Sequence, residues 1–179
     1  STPTYPYNIN SPLDEEAIRK LRAGDAVRIT GTLIAARDAA HKRMTEALAA
    51  GEALPVDLRD QVIYYVGPTP ARPGLPIGAA GPTTAGRMDA YTIPLLQSGL
   101  KGMIGKGNRS AEVIAAMQKH GAVYFAAIGG AGALLASCVK KYEVLAYADL
   151  GAEALARMEV VGFPAIVAIA TLGKNVSSR

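Results

Sequence analysis

Two glycine-bearing junctions constrain this chain more than any other feature. One is Gly81-Pro82-Thr83-Thr84-Ala85-Gly86-Arg87-Met88-Asp89, and the other is Gly105-Lys106-Gly107-Asn108-Arg109-Ser110. Each reads as a point where a strand ends and a helix begins, which predicts an α/β fold with a mixed sheet rather than a regular βαβ series. Such loops hold backbone N–H groups and fixed side chains toward an anion. Two of them in one small domain predict a site for a small, negatively charged substrate.

The rest of the pattern supports that class. Helices are expected over 15–22, 36–49, 88–98 and 110–120, the last closed by Gly121, and a small-residue helix from Gly129-Gly130-Ala131-Gly132 to about Val139. Strands are expected over 25–33, 61–66, 102–104, 123–128, 142–147, 158–161 and 165–170. The first dozen residues read as extended. Residues 67–82 hold five prolines and read as a long loop, a kind of segment that is commonly functional. No internal repeat or second domain boundary is visible, so residues 1–179 are expected to form a single domain.

Composition excludes several classes. Half of the 179 residues are hydrophobic and 19% are charged, which is a globular balance. The net charge of +4 is spread along the chain without a basic run or aromatic interleaving, so nucleic acid is not the expected partner. The single cysteine, Cys138, can form no internal disulfide and no zinc or iron–sulfur site by itself. It is expected to be a small core residue. His41 and His120 form no ligand motif, so no metal site is expected on this chain. No signal peptide and no membrane span are visible, and a reducing, cytoplasm-like compartment fits best.

The phosphate motifs fail or match weakly. Gly105-Lys106 is followed by Gly107 and lacks the upstream glycine of a Walker A loop. The Gly129–Gly132 cluster fits close packing of a helix on a sheet better than a phosphate cradle. The cations are more informative. Arg37 follows a strand directly, where open α/β sheets bind ligands, and the planar guanidinium matches two carboxylate oxygens. Arg37, Arg87 and Arg109 are therefore candidates for a carboxylate clamp. Thr83 and Thr84 could simply cap the next helix. Lys106 could activate a hydroxyl or contact a carboxylate directly. His41 is expected on a helix surface.

Arg37-Asp38-Ala39-Ala40-His41-Lys42-Arg43, Gly81-Pro82-Thr83-Thr84 with Arg87-Met88-Asp89, Lys106-Gly107-Asn108-Arg109, and Glu153 with Glu159-Val160 and Phe163-Pro164-Ala165 together resemble one family, in its order. It is the C-terminal part, or separate β subunit, of class I iron–sulfur hydro-lyases, which include class I fumarases and L-tartrate dehydratases. The resemblance spans roughly residues 10–175. Ala85-Gly86 and Ala156-Arg157 depart from it, the first pair at a position that shapes the pocket.

The resemblance implies a swivelling β/β/α domain whose mixed sheet is flanked by helices. It implies a four-iron four-sulfur cluster held by a cysteine-bearing α subunit or N-terminal domain, in a hetero-oligomer such as α2β2. It implies reversible addition of water to a small dicarboxylate, fumarate/malate ahead of tartrate. Arg37, Arg87 and Lys106 would meet the carboxylates, Thr84 would position substrate and Thr83 would transfer the proton. The rival readings are a dicarboxylate-binding or assembly module without chemistry, and a nucleotide-binding domain using Lys106 and the Gly129 cluster. The start at Ser1 and the independent core favour a free-standing β chain over a fragment.

Overall fold

The computed structural model describes residues 6–128 and 132–171. Seven strands, β1 (Tyr7–Ser11), β2 (Ala26–Ala35), β3 (Val62–Tyr64), β4 (Gly102–Gly105), β5 (Val123–Ala127), β6 (Val139–Ala146) and β7 (Leu155–Ile169), form one mixed sheet. Strands β2, β3, β4 and β5 run parallel in succession. β7 then pairs antiparallel with both β5 and β2, so these five strands close into a barrel. β1 extends the first half of β2, and β6 extends the first half of β7. The expected mixed α/β sheet with helices against it is present, and it closes on itself, which the sequence did not predict.

Alternation along the strands separates two apolar clusters. Val62 and Tyr64 of β3 join Ile29, Leu33, Ile104, Phe125, Phe163 and Val167 on the inner face. Ile63, Tyr65, Met103 and Tyr124 point outward beneath the helices. Helices α2 (Asp38–Ala49), α3 (Asp89–Gln97) and α4 (Ala111–His120) cover them with Met44, Leu95 and Met117. The short helices α1 (Glu15–Lys20) and α5 (Gly132–Ala136) add Ile18 and Leu135 to the inner cluster. No helix among the described residues is long and apolar enough to cross a membrane.

Two strands expected near the C-terminus are one. Glycine and proline at Gly162 and Pro164 read as punctuation, yet β7 runs through both. Thr30 of β2 faces an extra residue of β7 between the Ile29–Phe163 and Gly31–Val160 pairs. Gly162 absorbs this bulge at φ +63°, a region that L side chains rarely adopt, and donates its N–H to Thr30 Oγ1 at 3.0 Å.

The proline-rich segment has no helix or strand until Thr84 bridges to Lys106, as its composition predicted. It bounds a cavity of about 650 Å³ with α5 and β6, lined among others by Thr69, Arg72, Leu75, Ile77, Ala136 and Lys140. The Gly129-Gly130-Ala131 part of the small-residue motif lies outside the described residues. Gly132 packs against this same segment rather than on the sheet: a Cβ there would stand 3.0 Å from the Gly81 nitrogen.

Candidate functional site

Three loops leave the C-terminal ends of the parallel strands β2, β3 and β4 together. After β2, the Ala36 N–H bonds to the Tyr64 carbonyl at 3.1 Å, and Arg37 takes extended backbone as the N-cap of α2. Arg37 cannot cap the helix, and Glu153 substitutes: its Oε1 accepts the Ala39 N–H at 3.1 Å. The Arg37 side chain lies against Gly67, just after β3, where a Cβ would stand 2.9 Å from Cδ of Arg37.

The second and third loops zip together by backbone bonds. The Thr83 N–H donates to the Tyr65 carbonyl at 2.7 Å, Lys106 N–H to the Thr83 carbonyl at 3.2 Å, and Ala85 N–H to the Lys106 carbonyl at 2.8 Å. This close approach needs glycine at 105, where a Cβ would meet the Tyr65 ring at 2.7 Å and the Thr83 carbonyl oxygen at 3.2 Å. Thr84 then precedes a short 3-10 helix, Ala85–Met88, without a side-chain cap bond. Its hydroxyl is therefore not committed to the capping role that its position suggested.

Asp38 joins the first loop to the second. Its Oδ2 accepts from Arg87 Nε at 3.1 Å and Nη2 at 2.9 Å. Its Oδ1 lies 3.7 Å from Arg37 Nε, and both of these buried atoms lack a hydrogen-bond partner. Arg37, Arg87 and Lys106 thus sit on adjoining loops, with Thr83 half-buried and Thr84, Arg87 and Lys106 exposed. The 650 Å³ cavity is lined by none of these five residues. The convergence of cations and hydroxyls, rather than volume, marks the candidate site.

Two expectations are corrected. Arg109 is no clamp for a ligand. Its side chain is 0% exposed, and its guanidinium is committed to Asp89, Tyr65 and Thr92, each at 2.8 Å. His41 is not on the helix surface either. It is 1% exposed, Nδ1 lies 2.8 Å from the Arg37 carbonyl, and its ring meets that of Tyr65 edge-on. Burial lowers its pKa to about 4, so the imidazole is neutral near pH 7. Cys138 is partly buried and packs against the inner cluster, close to the core role expected of it. Sequence reasoning gave no role to Asp38 or Asp89, since acids near helix starts are ordinary partners of the helix dipole, and none to Glu153, which reaches α2 only through the fold.

A site of this composition offers cations and hydroxyls that suit an anion, and comparison with known proteins gives the chain a family. Residues 4–179 match the family model described as Fumarase C-terminus, and the chain belongs to that family. It is 44% identical to fumarate hydratase 1, mitochondrial, of Leishmania major, over 97% of this chain and 32% of that protein. It is 42% identical to the anaerobic class I fumarate hydratase of Escherichia coli K12, over 94% of this chain and 31% of that protein. The chain thus spans about a third of the length of these two relatives. A protein of Methanocaldococcus jannaschii provisionally named L(+)-tartrate dehydratase subunit beta is 35% identical, over 95% of this chain and 90% of its own length.

Proposed function

We propose that this chain is the carboxylate-binding part of a hydro-lyase that reversibly adds water to a small dicarboxylate, fumarate/malate ahead of tartrate. Residues 1–179 would act as one domain, the swivelling part of the assembly. The observation that carries this reading is the union of Arg37, Arg87 and Lys106 on adjoining loops around Asp38, beside Thr83 and Thr84. The three cations outnumber the Asp38 and Glu153 carboxylates beside them, which leaves positive charge for a dicarboxylate. The names of the relatives agree with that substrate class.

The resemblance to class I hydro-lyases implies an iron–sulfur cluster, and the residues of this chain do not fit one. There is one cysteine in the sequence, and its Sγ faces the Leu134 and Gly162 carbonyls at 4.0 and 3.8 Å. The cluster therefore belongs to a cysteine-bearing partner, either an α subunit or a further domain of a longer chain. This chain's share of the chemistry lies in its own side chains. Arg37, Arg87 and Lys106 hold the carboxylates and stabilise the charge that builds on one of them as the neighbouring carbon loses its proton. Thr84 orients the substrate, and Thr83, beside Lys106, exchanges the proton.

The test is an anaerobic hydration assay with fumarate and tartrate, on this chain alone and assembled with the cysteine-bearing partner. Activity is expected only in the assembly. Arg87→Ala should cost about 2–5 kcal/mol in kcat/KM once the partner covers the site. Unchanged turnover in a folded, fully assembled variant would remove Arg87 from the mechanism.

A further inference from the structure

Arg109, excluded as a ligand, stands at the centre of the densest polar network described. Its Nε donates to Asp89 Oδ1 at 2.8 Å, and Asp89 Oδ2 accepts the Ser110 N–H at 2.9 Å. Asp89 follows Arg87 by two residues, and Arg109 follows Lys106 by three, so this pair ties the two site loops together. Nη1 donates to the Tyr65 hydroxyl at 2.8 Å, on the residue whose carbonyl holds Thr83. Nη2 donates to Thr92 Oγ1 at 2.8 Å, and that hydroxyl donates to the Met88 carbonyl at 2.7 Å. The rings of Tyr65 and Tyr124 both stand 5.2 Å from the guanidinium carbon, and the Tyr124 hydroxyl donates to the Gly107 carbonyl at 2.9 Å.

We infer that Asp89, Arg109 and Tyr124 are positioning residues: a buried cation and its partners fix the Thr83–Arg87 loop against the Lys106 loop, and so set the spacing of the groups that meet substrate. The inference rests on the proposed function for its effect on catalysis. The network contacts both loops through backbone groups and neighbouring residues, while the Arg109 side chain itself has no exposed surface. Its chemistry is suited to this use. A guanidinium offers five donors in a rigid plane, and each one committed to a different element removes a way for those elements to shift. A buried charge is costly unless every partner stays in place, so the loops lose much by separating.

Tyr124→Phe is the mildest test, because it keeps the ring over Arg109 and deletes only the bond to Gly107. In the assembled enzyme it should lower kcat/KM about tenfold, the scale of a small misplacement of a contact group. Added to Lys106→Met it should cause no further loss, because the position it protects has already been emptied. Losses that multiply would overturn the positioning role. Hydrogen exchange on this chain supplies a readout without catalysis. The amides of Ala85, Lys106 and Ser110, each bonded across the two loops, should exchange faster in Tyr124→Phe while the barrel strands keep their protection. Unchanged exchange would overturn the inference. If Lys106→Met proves fully active, the Lys106 role in the proposed function fails, and the exchange data alone decide the pinning. Thr92→Val, which removes an acceptor from Arg109, provides the same pair of measurements should Tyr124→Phe not fold.

Discussion

At His41 the imidazole faces Tyr65 and Tyr91, with the Arg109 cation and the Asp38 carboxylate in its field. Burial is the largest influence and lowers the pKa. The bond to the Arg37 carbonyl opposes it, Arg109 adds to it, and Asp38 opposes it. The folded pKa of about 4 lies below the 6.5 of an ordinary histidine, so the unfolded chain binds the proton more tightly. The stability tied to this group is complete above pH 6.5 and is lost as pH falls toward 4. The full loss is about 3 kcal/mol, and it stops where both states are protonated. Urea titrations of the parent and His41→Gln at pH 7.5 and 4.5 check this, because the variant should lose less; equal losses would contradict it. Asp38 is the other residue to test. Asp38→Asn keeps an acceptor for Arg87 but removes the charge, and Arg87 is 53% exposed, so solvent screens the pair. We expect a cost of about 1 kcal/mol in the stability of this chain alone, read by urea titration. Part of this arrangement was legible beforehand: Arg37 stood out as a cation directly after a strand, and Arg87 and Lys106 as cations in the two junction loops. Arg109 looked the same as Arg87, and only tertiary burial separates them. His41 did carry a signal, because Ala40, His41 and Met44 lie on the buried stripe of α2.

Among the elements, α4 was the most legible. Ser110, read as the first helical residue, is the N-cap and accepts the Val113 N–H at 3.2 Å, and Gly121 closes the helix in the left-handed region as expected. The start of α2 was read two residues early, because Ala36 still belongs to the backbone pairing with Tyr64. β4 and the zipper beside it depend on a property that sequence alone shows poorly, the lack of space at Gly105. Gly105→Ala would push a methyl into the Tyr65 ring and the Thr83 carbonyl. We expect it to cost about 1–3 kcal/mol of stability and to separate Thr83 from Lys106. Thermal unfolding and the exchange rate of the Lys106 amide report the two effects, and wild-type values for both would show that the loops have room to spare.

For the molecule as a whole, the α/β class and mixed sheet could be read from alternating elements, but closure could not. Closure depends on β7 spanning both β2 and β5, and on a bulge at Gly162 that keeps it one strand. Cutting the chain after Gly162 would remove the whole β5 pairing and the Phe163 contact with Tyr64. The truncated protein should show no cooperative unfolding transition in denaturant, and a sharp transition would mean that the open sheet is stable by itself.

That closure also orders events during synthesis. β2 leaves the ribosome well before the antiparallel partner it needs: Ala26 waits for Ile166. In the interval, β2 and β5 each carry an open, apolar edge, and β2 to β5 can assemble only as an unclosed sheet. The nascent chain is therefore most exposed to wrong pairing late in translation, and chaperone capture is expected to be strongest on chains that end between β5 and β7.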